Sequence, residues 1–264
     1  MAKTELINAD VFSWIDGIAP FETCEPWDNS GLLAGSMKSR VTGIYCALDV
    51  SAKVIDDAIA KGCNLIVTHH PIMFGGRKNL REDDAEGRML CSLVRNNISV
   101  ISAHTNFDKA EGGVTDILAK RLGIESPKLI EGDEEGFLRI GEIRPMRLDA
   151  FTDFVKRTLG DAVRAYGDPE MIVRKVAVCG GAGGEFAAFA QKCGADAYVT
   201  GEMRYHDSLD LAQTGFATLQ AGHDATEKIA VERFKQLLET KLAEYGINIP
   251  VYLSEIDSFS LRLI

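Results

Sequence analysis

The chain has 264 residues, 46% hydrophobic and 26% charged, enough for one large domain or two modest lobes. Its formal net charge of -10 argues against nucleic acid or an anionic membrane as a partner, since both need basic patches. The start MAKTELINADVFSWIDGIAP lacks the apolar centre of a secretion signal, no apolar run reaches the ~18 residues of a membrane span, and the six cysteines form no CxxC pair. A cytoplasmic protein with reduced, buried thiols is expected.

In chain order, apolar runs predict strands at 41–48, 64–68, 98–103, 173–179, 195–200 and 216–221. Between them, apolar residues at i, i+3, i+4 spacing predict helices at 52–61, 84–96 and 185–193. Buried strands alternating with such helices point to an α/β fold with mainly parallel sheets covered on both faces. The stretch 126–145, with Pro127, Gly132, Gly136, Gly141 and an acidic run, breaks this rhythm and reads as a crossover, with a short strand at 136–143. A βαβ pattern lies on each side of it, so two similar three-layer lobes are expected: 1–125 with 225–264, and 126–224. The last long helix is expected at 225–245, with Ile229, Phe234, Leu237, Leu238 and Leu242 on its apolar face.

Chemistry gathers where these strands end. Thr68-His69-His70-Pro71 directly follows a buried strand, and ligands of open parallel sheets bind outside the carboxyl ends of strands. Neighbouring side chains of an extended segment diverge, so two adjacent histidines can serve two ions. An ordinary turn with one satisfied and one exposed histidine fits the same run. The next strand ends at His104-Thr105-Asn106-Phe107-Asp108, where Asp108 can bridge ions and Thr105 and Asn106 can hydrogen-bond ligands; a capped turn leading to a helix from Val114 is the bland alternative. His223-Asp224-Ala225-Thr226-Glu227 follows a third strand and puts His223 and Glu227 on one face of a helix start, as a ligand pair or a solvated i, i+4 pair.

Taken together, His69, His70, Asp108, His223 and Glu227 are five groups that, with bridging carboxylates, give about three protein ligands to each of two ions and leave positions open. Open positions mark a catalytic site. Imidazole and carboxylate without thiolate suit zinc, manganese, iron or nickel. Thr200-Gly201-Glu202 ends another strand, with His206 four residues on, and either side chain can serve as an acid or base beside the ions or as a helix-start pair. The run Cys179-Gly180-Gly181-Ala182-Gly183-Gly184 is compatible with an anion cradle or with a tight strand-to-helix turn. HExxH, G-x-S-x-G and the P-loop are absent.

These pieces, with Glu25-Pro26-Trp27-Asp28-Asn29-Ser30-Gly31-Leu32 near the start, resemble in kind and order the NIF-three-like proteins, also named GTP cyclohydrolase type-two homologues. The resemblance spans nearly the whole chain, which is too short for the central domain that longer members insert. It implies a dinuclear centre of two divalent metal ions on His69, His70, Asp108, His223 and Glu227, with His104 and Glu202 nearby. It also implies two α/β lobes facing a central cleft and a toroidal homohexamer, a trimer of dimers.

The expected function is metal-dependent hydrolysis of a small nucleotide-like or phosphorylated substrate, in one form the ring opening of GTP, with Glu202, His206 or His104 moving protons. The alternatives are a metal-handling or regulatory protein without turnover, and a ring-shaped nucleic-acid binder, which the acidic balance disfavours.

Overall fold

The structure, a computed structural model, describes residues 5–160 and 162–256. The chain divides into two compact units, one from the residues up to Phe107 together with those from Ala230 onward, the other from Asp108 to Ile229.

The first unit holds β1 (Gly31–Ala34), β2 (Ile44–Ala47), β3 (Leu65–Thr68), β4 (Ser99–Ser102) and β11 (Val251–Leu253), in the order β1-β4-β3-β2-β11. Four of these strands run parallel, with Val251 opposite Ile44, Ile44 opposite Leu65, and Leu65 opposite Ser99; β1 closes one edge antiparallel to β4. Every residue of β2, β3 and β4 is buried, as expected for parallel strands covered on both faces. The helices are α1 (Asn8–Asp16), α2 (Ala52–Ala60) and α3 (Ala85–Arg95). Ser51 starts α2 by accepting the Val54 amide at 3.2 Å, and Asp84 starts α3 by accepting that of Gly87 at 2.7 Å. Val54, Ile55, Leu90 and Leu93 then pack on Ile66 and Val100 of the sheet, each such burial contributing about 1.5–3 kcal/mol.

The second unit carries β5 (Glu125–Leu129), β6 (Arg139–Arg147), β7 (Arg164–Tyr166), β8 (Ile172–Val178), β9 (Ala197–Thr200) and β10 (Ala217–Gln220), in the order β5-β6-β8-β9-β10-β7. The central β8, β9 and β10 are parallel, while β5, β6 and β7 pair antiparallel at the flanks. Its helices are α5 (Val114–Arg121), α6 (Leu148–Leu159), α7 (Ala187–Lys192) and α8 (Tyr205–Gln213). Its core includes Ile130, Phe137, Leu138, Ala177, Tyr198 and Phe216. In chain order two helices cross from one unit to the other, α4 (Thr105–Lys109) and α9 (His223–Tyr245).

The strands expected at 41–48, 64–68, 98–103, 173–179, 195–200 and 216–221 appear as β2, β3, β4, β8, β9 and β10. The chain changes unit at Phe107/Asp108 and Ile229/Ala230, against the expected 125/126 and 224/225. The cause is α5, which packs on β5, β6 and β8. The final helix begins at His223 rather than 225, which places that histidine in its first turn. All six cysteines are free, and among the described residues no helix is long and apolar enough to cross a membrane.

Candidate metal centre

In the first unit the carboxyl ends of three neighbouring parallel strands deliver the polar residues. Beyond β3 come His69 and His70, beyond β4 comes His104, and beyond β2 comes Asp49. The rings of His69, His70 and His104 lie 5.0–5.5 Å apart, centroid to centroid, and offer ligand nitrogens within 4.8 Å of one another. Each ring is held by its Nδ1. Fully buried His69 donates from Nδ1 to the Ala103 carbonyl at 2.9 Å. His70 Nδ1 pairs with Asp49 Oδ1 at 2.7 Å, and His104 Nδ1 with Asp28 Oδ1 at 2.8 Å. Anchoring Nδ1 on an acceptor sets the tautomer and makes Nε2 the donor atom, the arrangement metal-binding histidines use.

Asp28 is itself tightly held. Its Oδ2 accepts from the Thr105 hydroxyl at 2.6 Å, the Thr105 amide at 3.1 Å and the Ser30 hydroxyl at 3.0 Å, and its Oδ1 accepts the Asn29 amide at 2.7 Å. Burial pushes its carboxyl up, but hydrogen bonds from His104 and Thr105, the His104 charge and the Asn29 amide outweigh that and hold it well below the usual range. Thr105 thus supports His104 through Asp28. Asn106 donates its side-chain amide to the Ala19 carbonyl at 2.7 Å, tying α4 to the N-terminal segment.

In the second unit the ends of β8, β9 and β10 supply Gly181, Glu202 and His223. His223 Nε2 lies 3.0 Å from Glu227 Oε2 one helical turn on, and its Nδ1 is 3.5 Å from Glu202 Oε1. Glu227 is only 3% exposed, and carboxylate oxygens of Asp108 and Glu227 lie within 4.8 Å of each other. Like charges this close, one of them desolvated, favour a cation beside them. Burial pushes the nearby Cys179 thiol well above its ordinary value, and the Asp108 and Glu227 charges add to the rise.

Asp108 is carried on a braced turn. Buried Arg139 forms an ion pair with Asp116 and donates to the carbonyls of Lys109 (2.9 Å) and Gly136 (2.9 Å), while Asp116 accepts the Gly112 amide at 2.7 Å. The glycine run after β8 is a packed turn. Two of its amides are occupied, Gly181 N by Thr226 Oγ1 at 3.0 Å and Gly183 N by Thr200 Oγ1 at 3.1 Å. Gly181 has φ +59°, and a Cβ there would lie 3.1 Å from Glu227 Cδ and 3.3 Å from His223 Nε2. A Cβ on Gly201 would meet His223 Cα at 2.8 Å and Thr226 Oγ1 at 2.9 Å. These glycines give the metal-type donors room.

Of the expected site residues, His69, His70 and His104 come together in the first unit, and Asp108, His223, Glu227 and Glu202 in the second. His104, expected near the proposed ligands, groups with His69 and His70. His206 lies exposed on α8 with its ring 5.3 Å from that of Tyr205. Asp49 and Ala103 went unnoticed in the sequence, and Asp28 was seen only as part of a motif. Asp49 had a signal: it follows a third buried strand just as the histidines follow theirs. The donors are imidazole and carboxylate with no thiolate, so the residues present fit a divalent transition-metal ion.

A family model described as Duf34/NIF3 (NGG1p interacting factor 3) matches residues 7–258. A Clostridium acetobutylicum protein named GTP cyclohydrolase 1 type 2 homolog is 34% identical over 262 residues, covering 96% of this chain and 98% of that protein. A Streptococcus pneumoniae protein of the same name is 30% identical, over 95% of this chain and 97% of that one. Among solved structures, a hypothetical protein of Staphylococcus aureus superposes with a TM-score of 0.91 at 29% identity, over 98% of this chain and all 100% of that one. A Bacillus cereus protein related to NIF3 reaches a TM-score of 0.91 at 23% identity, over 99% of this chain and 100% of that one, and so matches in fold.

Proposed function

The chain belongs to the Duf34/NIF3 family, and from that premise we propose that it is a dinuclear-metal-dependent hydrolase of a small nucleotide-like or phosphorylated molecule. Ring opening of a GTP-type purine is the specific form suggested by the name its relatives carry. The observation that carries this reading is the anchoring of His69 and His70 through Nδ1 within a cluster of imidazole donors. A solvated histidine needs no such support; a ligand does.

The proposed protein ligands are His69, His70, Asp108, His223 and Glu227, serving two ions drawn from zinc, manganese, iron or nickel. Such ions lower the pKa of water and stabilise developing negative charge. The chain's own groups do the rest. Ala103, Asp49 and Asp28 orient the imidazoles. Glu202 stands beside His223 with a side chain 63% exposed, so it can take a proton from solvent and return it. His104 and His206 are the further candidates for proton transfer.

Asp108→Ala tests the reading. It should lose metal by elemental analysis and hydrolysis of GTP together, while circular dichroism stays that of the parent. Normal turnover in a metal-free Asp108→Ala protein would refute the hydrolase. A parent that holds metal yet hydrolyses no nucleotide, phosphoester or cyclic amide would make the centre a metal-handling one.

A further inference from the structure

Beside the imidazole cluster, the first unit opens a cleft of about 860 Å³, a size suited to a nucleotide-sized ligand. Two large aromatics line it while remaining open to solvent, Trp27 at 61% and Phe74 at 54% exposure. Both address the same imidazole edge-on: the Trp27 ring centroid is 6.0 Å from that of His104, and the Phe74 centroid 5.6 Å. Single exposed aromatics are ordinary, but two converging on a histidine of the candidate centre form a built feature. The loops carrying them are joined, since Asn29 Nδ2 donates to the Met73 carbonyl at 2.7 Å. A Cβ on Gly75 or Gly76 would meet nothing within 4 Å, so the two glycines border open space.

Three charged side chains line the cleft, Asp28, Arg77 and Lys78, and Asp28 is already engaged by His104 and Thr105. Arg77 lines the cleft but is held by Asp84 at 2.8 Å and Glu86 at 2.9 Å. Lys78 lines it too and is exposed. In a chain of net charge -10, a lysine at the mouth of an aromatic cleft fits an anionic group on the ligand.

We propose that this cleft binds a planar heteroaromatic ring bearing an anionic group, stacked on Trp27 and Phe74 with Lys78 toward the anion, so that the ring lies next to His104. This deepens the hydrolase proposal and rests on its reading of the imidazole cluster as a metal centre. Stacking on an aromatic side chain tolerates any π-face, so the cleft recognises the class of ring, and the neighbouring donors address the bond to be broken.

The test is calorimetric binding of GMP, ribose 5-phosphate and inorganic phosphate to the full chain, with metal content measured on the same samples. GMP should bind and ribose 5-phosphate should bind at least about tenfold more weakly, because it lacks the ring. Trp27→Ala and Phe74→Ala should each weaken GMP binding about tenfold or more while thermal midpoint and metal content stay at parent values. Lys78→Gln should weaken GMP and leave guanosine unchanged.

Equal binding of GMP and ribose 5-phosphate would overturn the proposal, as would parent-like GMP affinity in both aromatic variants, or no binding of GMP at millimolar concentration. A change of assembly mass in the aromatic variants with GMP affinity intact would mean that a second copy covers the cleft, and would also overturn it. The two readings fail separately. A metal-loaded protein indifferent to Trp27→Ala loses the aromatic subsite alone, whereas a metal-free protein that binds GMP through Trp27 loses the metal centre alone.

Discussion

Replacing Gly181 by alanine separates the fold of the second unit from the placement of its buried carboxylate. The backbone there has φ +59°, and holding an alanine in that left-handed region costs roughly 1–2 kcal/mol. For a chain of this size that lowers the thermal midpoint by about 2–8 °C. The new Cβ also falls inside the van der Waals envelope of Glu227 Oε1 and 3.1 Å from its Cδ, so the carboxylate must move by something on the order of 1 Å. Metal ligands hold position to about 0.2 Å, and losing even a supporting partner weakens a site by about 10–100-fold. Gly181→Ala should therefore fold and lose at least that much metal affinity, read by titration with a chromophoric chelator. Gly215 supplies the control, with φ +82° and nothing within 4 Å of an added Cβ. Gly215→Ala should show a similar drop in midpoint with metal affinity intact. If Gly181→Ala binds metal as well as Gly215→Ala does, Glu227 is not a ligand and the reasoning is wrong.

Two further outcomes are expected. Asp28→Asn should cost about 1.5–3 kcal/mol at neutral pH, because several hydrogen bonds to a charged acceptor are weakened. Since the folded-state pKa of Asp28 is depressed, its contribution is fully present above the ordinary carboxylate range and is lost as pH falls through the depressed range; urea midpoints between pH 5 and pH 2 should fall less steeply in the variant, and identical slopes would count against the charge. Arg139→Met should lower unfolding stability by about 3–5 kcal/mol by leaving Asp116 buried and uncompensated, and adding Asp116→Leu should recover much of that. A loss in the single variant below about 1 kcal/mol would show the pair to be effectively solvated.

The strands that carry the site were legible because they are buried on both faces: Leu65–Thr68 reads as an apolar run, and Ser99–Ser102 as two β-branched residues between serines. The flanks were not. The short β11 (Val251–Leu253) and β7 (Arg164–Tyr166) have only three residues each, and exposed β5 (Glu125–Leu129) contains a proline, so none leaves a periodic trace. Where one unit gives way to the other is not legible, because α5 has the same amphipathic pattern whichever sheet it covers, and pattern alone does not say which. At the site, the histidines were visible as strand-end residues. What orients them was not: Asp28 and His104 are brought together across 76 positions of sequence, and the Ala103 carbonyl is backbone, which carries no residue signature at all. The Cys179–Gly184 run was compatible with an anion cradle until the Thr200 and Thr226 hydroxyls were seen on its amides.

The Nδ1 anchors of His69, His70 and His104 have a consequence for when order is acquired. A rotamer-rich side chain frozen on binding costs about 0.5–1.5 kcal/mol. Here the three rings are fixed by a carbonyl and two carboxylates of their own unit, so that ordering occurs when the sheet forms and precedes any ion. An arriving cation then meets a rigid set of nitrogens rather than assembling one. Any affinity of this cluster for a cation is in this sense a property of the packing at the ends of β2, β3 and β4 and of the segment that carries Asp28.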